Sequence, residues 1–194
     1  MANALFIIDV QNDFCEGGAL ACQGGAAVAS KITSFVNDNP SRYDFVIASR
    51  DWHTPGEENG GHFPPDGQEP DFVNTWPLHC LAGDEGADYH PNLDTSIIDV
   101  HIKKGQGAHG YSIFEGTTDR GEKLTDLLSR LDIDEVDVVG IATDYCVRAS
   151  SLDAVSEGLA VKVITSLTAG VAAESTEAAI DDMADAGVEV LATP

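Results

Sequence analysis

Basic residues are what this 194-residue chain has least of: ten Lys and Arg stand against thirty-three Asp and Glu, a net charge of −23. A field of that sign repels phosphate backbones and anionic lipid, so no nucleic-acid partner and no membrane partner is expected. Neutral or cationic small molecules are favoured instead. Long apolar runs are also missing. None approaches the roughly 18–20 residues that a spanning helix needs. The opening "MANALFIIDVQ" puts no basic segment ahead of its short apolar run, and reads as a first strand in place of a signal peptide. A cytoplasmic location is the expectation. Cysteine is sparse. The four residues Cys15, Cys22, Cys80 and Cys146 form neither a CxxC pair nor a repeated finger spacing, so free thiols are expected in place of a disulfide framework.

What is present is a globular composition, 43% hydrophobic, in a length that suits a single domain over residues 1–194. Apolar, β-rich runs recur at Ala4–Val10, Tyr43–Ser49, Ile97–Ile102, Val136–Ala142, Val161–Thr165 and Val188–Leu191. Helical patterns separate several of them, at Ala26–Asn37, Gly121–Leu131, Tyr145–Glu157 and Ser175–Ala186. Strands alternating with helices give the α/β class, and uniformly apolar runs suit strands of a parallel sheet covered on both faces. One segment breaks the alternation. Residues 51–92 are rich in Gly, Pro, Asp and aromatics without any period, and loops of that length are functional or disordered. Trp52, Phe63, Phe72 and Trp76 argue for an ordered loop, because leaving them in water is unfavourable.

The histidines suggest what orders it. All six lie between His53 and His109, and no Lys or Arg occurs from Asp51 to Ile102. The stretch "RDWHTPGEENGGHF" supplies Asp51, His53 and His62, and "WPLHC" supplies His79. Two residues apart on an extended segment, Asp51 and His53 share a face. One carboxylate and three imidazoles without a nearby cation suit Zn²⁺, Fe²⁺ or Mn²⁺.

In open α/β sheets, ligands bind beyond the carboxyl ends of the strands. That rule selects Asp9 in "FIIDVQNDF", Lys104 in "DVHIKKGQGAHGYSIFEG" and Cys146 in "VVGIATDYCVRAS". An acid, an ammonium and a thiol thus reach one rim. A cysteine where a strand hands over to a helix faces free N–H groups and a positive dipole end, so the Cys146 thiol is expected to be acidified, with Lys104 assisting.

Taken together, "FIIDVQNDF", "SRDWH" with its later "HF", "WPLHC", "KKGQGAHGYSIFEG", "VDVVGIATDYCV" and "SLTAGV" resemble the nicotinamidase/pyrazinamidase family of isochorismatase-like cysteine hydrolases. The resemblance covers nearly the whole chain. It implies a three-layer α/β fold with a six-stranded, mostly parallel sheet ordered 3-2-1-4-5-6, and an Asp–Lys–Cys triad that falls on Asp9, Lys104 and Cys146. Lys103 competes for the lysine role, but strand alternation should turn it the other way. The family's metal ligands fall on Asp51, His53, His62 and His79, with one divalent ion (Zn, Fe or Mn) as cofactor. Eight residues separate His53 from His62, more than in many bacterial relatives. The resemblance also implies a cis peptide at Ile141–Ala142, an oxyanion pocket from the N–H groups of Ala142 and Cys146, and aromatic walls at Phe14 and Trp76, with Tyr111 a third. Its substrates are small neutral pyridine or pyrazine carboxamides. His90 and His101 fall outside the motifs and are expected to be structural, while His109 is placed to line the pocket.

Other readings stay open on the residues alone. A metal-free relative could hydrolyse another small amide, carbamoyl or ureido compound, a metal-activated water could do the chemistry with Cys146 a bystander, or the fold could serve only interaction. The sequence leaves the oligomeric state open, a homo-oligomer included.

Overall fold

The computed structural model describes residues 1–194. Its strands are β1 (Ala2–Ile8), β2 (Phe45–Asp51), β3 (Val100–Lys104), β4 (Thr117–Thr118), β5 (Ile133–Ile141), β6 (Ala160–Ala169) and β7 (Glu189–Leu191). The helices are α1 (Gly25–Asp38), α2 (Leu124–Leu131), α3 (Arg148–Ser156) and α4 (Ala173–Asp185). All strands join one sheet of order β4-β3-β2-β1-β5-β6-β7. Every pairing is parallel except β3 with β4. The expected six-stranded order is therefore present with a seventh strand added. That strand is a two-residue antiparallel edge at Thr117–Thr118, too short to show any period in the sequence. No helix is long and apolar enough to cross a membrane.

Strand alternation builds two cores from one sheet. Leu5, Ile7, Val46, Ala48, Val139 and Ile141 face α1 and the long loop, where Val28, Ile32, Phe35 and Leu93 meet them. Ala4, Phe6, Ile8, Ile47, Val136 and Val138 face the other side, against Leu124, Leu127, Leu128, Ala154 and Met183 of α2, α3 and α4. Each large aliphatic side chain buried this way contributes about 1.5–3 kcal/mol. A rigid sheet follows, and it holds its strand tips in fixed relative positions.

Gly140 sets the tip of β5. It has φ +117, pairs with Ile8, and sits where the β5–β6 register shifts. A Cβ there would lie 2.1 Å from the Ile8 carbonyl oxygen. Gly140→Ala is therefore expected to destabilise the fold by at least about 2 kcal/mol. A urea unfolding midpoint that does not move would contradict this.

The loop over residues 51–92 is ordered by polar contacts in place of secondary structure. Asn59, buried at φ +46, accepts from Thr54 N–H at 2.9 Å and donates to the carbonyls of Thr54 and Glu57. Gln11 donates to the carbonyls of Asp51 and Ala87 and accepts from Asp51 N–H. Phe63 and Trp76 are buried as expected. Phe72 is not: it is 58% exposed, because Asp71 accepts from the N–H groups of Val73, Asn74 and Thr75 and folds a turn that points Phe72 outward.

Candidate active site and metal centre

Asp9 lies one residue past β1, Asp51 ends β2, Lys104 ends β3, and Cys146 lies in the turn after β5. These tips are neighbours because the sheet order is β3-β2-β1-β5. Lys104 Nζ is 2.7 Å from Asp9 Oδ2 and 3.7 Å from Cys146 Sγ, and it also donates to Asp51 Oδ1 and the Gly110 carbonyl. Asp9 and Lys104 are both completely buried. Ser49 donates to Asp9 Oδ1 at 2.7 Å. Beyond its ion pair with Lys104, Oδ2 is buried without a hydrogen-bond partner, and Asp9, Asp51 and Cys146 each place one donor atom within 4.8 Å of the others. Lys103 does turn away, onto Asp119 and the face of Trp52.

Burial alone would lower the Lys104 pKa, but the carboxylates of Asp51 and Asp9 outweigh it and hold the ammonium well above its ordinary range. Burial drives Asp9 the other way, up to about 6, against the pull of Lys104. Asp51 is held well below the usual range: burial would raise it, but the Lys104 ammonium prevails.

Cys146 departs from expectation in two ways. It sits inside a π-helical turn, Thr143–Val147, ahead of α3 and not at that helix's first residue. π-turns of this kind recur at functional sites. Its thiol is also not acidified in the resting site. Burial pushes its pKa well above normal, Lys104 opposes this, and the Asp9 and Asp51 carboxylates add to the rise. Sequence position suggested a dipole and a cation; desolvation and two neighbouring anions were invisible there. The Ile141–Ala142 peptide is cis.

Beyond Asp51 stands the histidine cluster. The ligand atoms of His53, His62 and His79 lie within 4.8 Å of one another, all three residues being buried. Asp51 Oδ2 is 3.7 Å from His53 Nε2 and 3.8 Å from His79 Nε2. Asp51 therefore faces both groups, with Oδ1 toward Lys104 and Oδ2 toward the imidazoles. His53 Nδ1 bonds the Gly105 carbonyl and His79 Nδ1 the Pro77 carbonyl, at 2.9 and 2.7 Å. A carbonyl only accepts, so both rings carry their proton on Nδ1 and turn a bare Nε2 inward. His53 Nε2 is buried without any partner. Burial lowers the pKa of His79 and, with His53 and His79 beside it, brings His62 down to about 3, so both rings stay neutral. Neutral lone pairs converging beside an ionised carboxylate repel one another unless a cation lies between them. The donor set fits a divalent ion.

Both clusters open into one cavity of ≈ 300 Å³, the size class of small-molecule sites. Phe14, Trp76 and Tyr111 line it with Ala142, Cys146, His62 and His79. Trp76 Nε1 donates to Tyr111 Oη at 2.8 Å. The sequence reading missed Tyr145, which also lines the cavity and stands edge-on to Trp76 at 5.1 Å between centroids. Nor did it single out Gln11, Asn59 or Ser49, whose side chains hold the functional backbone and carboxylates; Gln11 and Ser49 stand near strand ends, whereas Asn59 lies within the loop and carried no such signal. Phe72 and Val171 form an exposed apolar rim. His109 meets His62 at the edge of the site, whereas His101 contacts Tyr89 Oη on β3.

Fold and site together define a three-layer α/β protein with a buried carboxylate–ammonium–thiol cluster facing a metal-type histidine set. The isochorismatase domain family matches residues 3–194, and the chain belongs to that family. The nicotinamidase/pyrazinamidase of Mycobacterium tuberculosis is 48% identical over 188 residues, spanning 97% of each chain. Among solved structures, L. infantum PnC1 in complex with nicotinate aligns with TM-score 0.81 at 33% identity, covering 98% of this chain and 92% of that one. The pyrazinamidase of Pyrococcus horikoshii in complex with zinc aligns with TM-score 0.79 at 30% identity, covering 98% and 99%.

Proposed function

We propose that this chain is a cysteine amidohydrolase that converts nicotinamide to nicotinate and ammonia, and pyrazinamide to pyrazinoate. The observation that carries this reading is Cys146 in the wall of an aromatic cavity, backed by the buried Asp9–Lys104 pair and sharing that cavity with His62 and His79 of the histidine cluster. The names of the relatives above support the choice of substrate.

In this reading residues 1–194 act as one catalytic unit, and the loop over residues 51–92 is its metal-binding segment. Asp51, His53, His62 and His79 would hold a Zn²⁺, Fe²⁺ or Mn²⁺ ion, which supplies a Lewis-acid point for an aromatic ring nitrogen. Phe14, Trp76 and Tyr111 bracket the ring. Because the resting thiol is protonated, it is activated during attack. Its proton passes to Asp9 as Sγ bonds the carboxamide carbon and the carbonyl π electrons move to oxygen. The Lys104 ammonium balances negative charge on either partner throughout. The N–H groups of Ala142 and Cys146 donate to the oxyanion, an interaction whose loss costs roughly 100–1000-fold in rate. Asp9 returns the proton to the departing nitrogen, and ammonia leaves a thioester. Water attacks that thioester with Asp9 as base, giving the carboxylate and restoring the thiol.

Two measurements test the proposal. The intact protein should release ammonia from nicotinamide, and no release from any pyridine or pyrazine carboxamide would end it. The second measurement is pH dependence. Asp9 must be ionised to accept the proton, and burial raises its pKa to about 6, so its carboxylate form is lost as pH falls through that value. kcat/KM should therefore decline on the acid side with an apparent pKa near 6. A flat profile across that range would remove Asp9 from this role.

A further inference from the structure

The three histidines differ in what holds the outer edge of each ring. His53 and His79 each give their Nδ1 proton to a backbone carbonyl. His62 does not. Its Nδ1 faces His109 Nδ1 at 3.4 Å, and its Nε2 faces His79 Nε2 at 3.3 Å. Because the Pro77 carbonyl fixes His79 with a bare Nε2, that nitrogen can only accept. Two tautomers of His62 therefore compete. With its proton on Nε2, His62 donates to His79, and the two rings satisfy each other across the space an ion would take. With its proton on Nδ1, it donates to His109, and a third inward lone pair is free.

We propose that His109 is the positioning residue that selects the second tautomer: its Nδ1 accepts the His62 Nδ1–H, and this sets how tightly Asp51, His53, His62 and His79 bind a divalent cation. The proposal rests on the metal reading above. Imidazole ligands need such outer partners to fix tautomer and ring orientation, and losing one typically weakens metal binding about 10–100-fold.

The surrounding backbone is built to hold this contact. His109 lies in a loop whose Gly105, Gly107 and Gly110 have φ of +83, +71 and +71. A Cβ on Gly110 would come within 2.5 Å of Gly105 Cα, so the loop can close on itself only with glycine there. The turn that carries His62 packs directly on it: a Cβ on Gly60 would lie 3.1 Å from the Gly107 carbonyl oxygen. Asn59 joins the two segments, its Oδ1 accepting from both Thr54 N–H and Gly107 N–H at 2.9 and 3.0 Å. The His109 ring also lies nearly parallel to Tyr111, at 12° and 6.0 Å between centroids, which restricts its rotation. Ligand loop and acceptor loop are thus one packed unit.

The test is Zn²⁺ affinity, measured by competition with a chromophoric chelator on the metal-free full chain. It compares wild type, His109→Leu and His109→Asn. Asn places an amide oxygen about where the imidazole Nδ1 stood, so it keeps an acceptor while changing the ring. The Leu variant should bind Zn²⁺ about 10–100-fold more weakly, and the Asn variant should recover most of that loss. Urea midpoints of the metal-free proteins should stay together, which separates tautomer selection from packing. A Leu variant as tight as wild type would overturn the assignment, and so would an Asn variant no better than Leu. A wild-type chain that takes up no Zn²⁺ would instead sink the metal reading itself, so the two failures are distinguishable.

Discussion

Cys146→Ala should abolish ammonia release from nicotinamide, lowering kcat on the order of 10⁴-fold or more, while Zn²⁺ uptake at the histidine cluster is retained. The separation of the two effects follows from the geometry. Cys146 Sγ groups with Asp9 and Asp51, 3.7 Å from the Lys104 ammonium, and is not among the converging imidazole atoms. Deleting it removes the atom that forms the thioester but none of the metal donors. This variant also separates the two hydrolytic mechanisms open to such a site. If a metal-activated water attacked the amide, the sulfur would be dispensable and the variant would keep most of its rate. Turnover within tenfold of wild type would exclude the thioester route. Because the thiol is buried and its pKa pushed well above normal, Cys146→Ser should be nearly as inactive as Ala: a hydroxyl is a still weaker acid in the same desolvated position.

Lys104→Met should unfold more easily than wild type by about 3–5 kcal/mol near neutral pH, and should lose activity as well. The ammonium is fully buried between Asp9, Asp51 and the Gly110 carbonyl. Removing it leaves two carboxylates in a dry site with nothing between them. The sign of the pH effect can be worked out. Without Lys104 the Asp9 pKa, already raised to about 6, climbs further and that of Asp51 rises above its unfolded value, so the folded variant binds more protons than its unfolded chain and gains stability as pH falls. In wild type Asp51 is depressed, so its contribution is present above the unfolded pKa and is lost as pH falls through the folded one. The stability gap between the two proteins should therefore be widest near neutral pH and narrow in acid. Urea melts at two pH values check this. A gap below about 1 kcal/mol at neutral pH, or one that widens in acid, would mean that Lys104 does not carry the charge balance of the site.

The residues that do the proposed chemistry were legible because strand ends are legible. An apolar run that stops at Asp9, another that stops near Lys104, and a third that runs into "TDYCV" mark where a parallel sheet presents side chains to a ligand. Histidines gathered in one cation-free loop were readable for a similar reason, since composition needs no coordinates. Boundaries were less secure. β3 ends at Lys104 as expected but begins only at Val100, three residues into the apolar run, because Thr95–Ile97 fold into a short 3-10 turn capped by Asp94. β6 runs on to Ala169 because it continues to pair beyond the β5 irregularity.

By itself, then, the sequence determined the α/β class, the alternation that loads both faces of the sheet, and the chemical types gathered at its rim. These follow from period and residue identity, which are local properties. Tertiary structure alone decided the edge strand β4, the π-turn at Cys146, the double-facing carboxylate of Asp51 and the tether from His62 to His109. It also reversed the expected direction of the Cys146 pKa shift. Each of these depends on desolvation or on contacts between residues distant in the chain, and both arise only when separate segments are packed against one another.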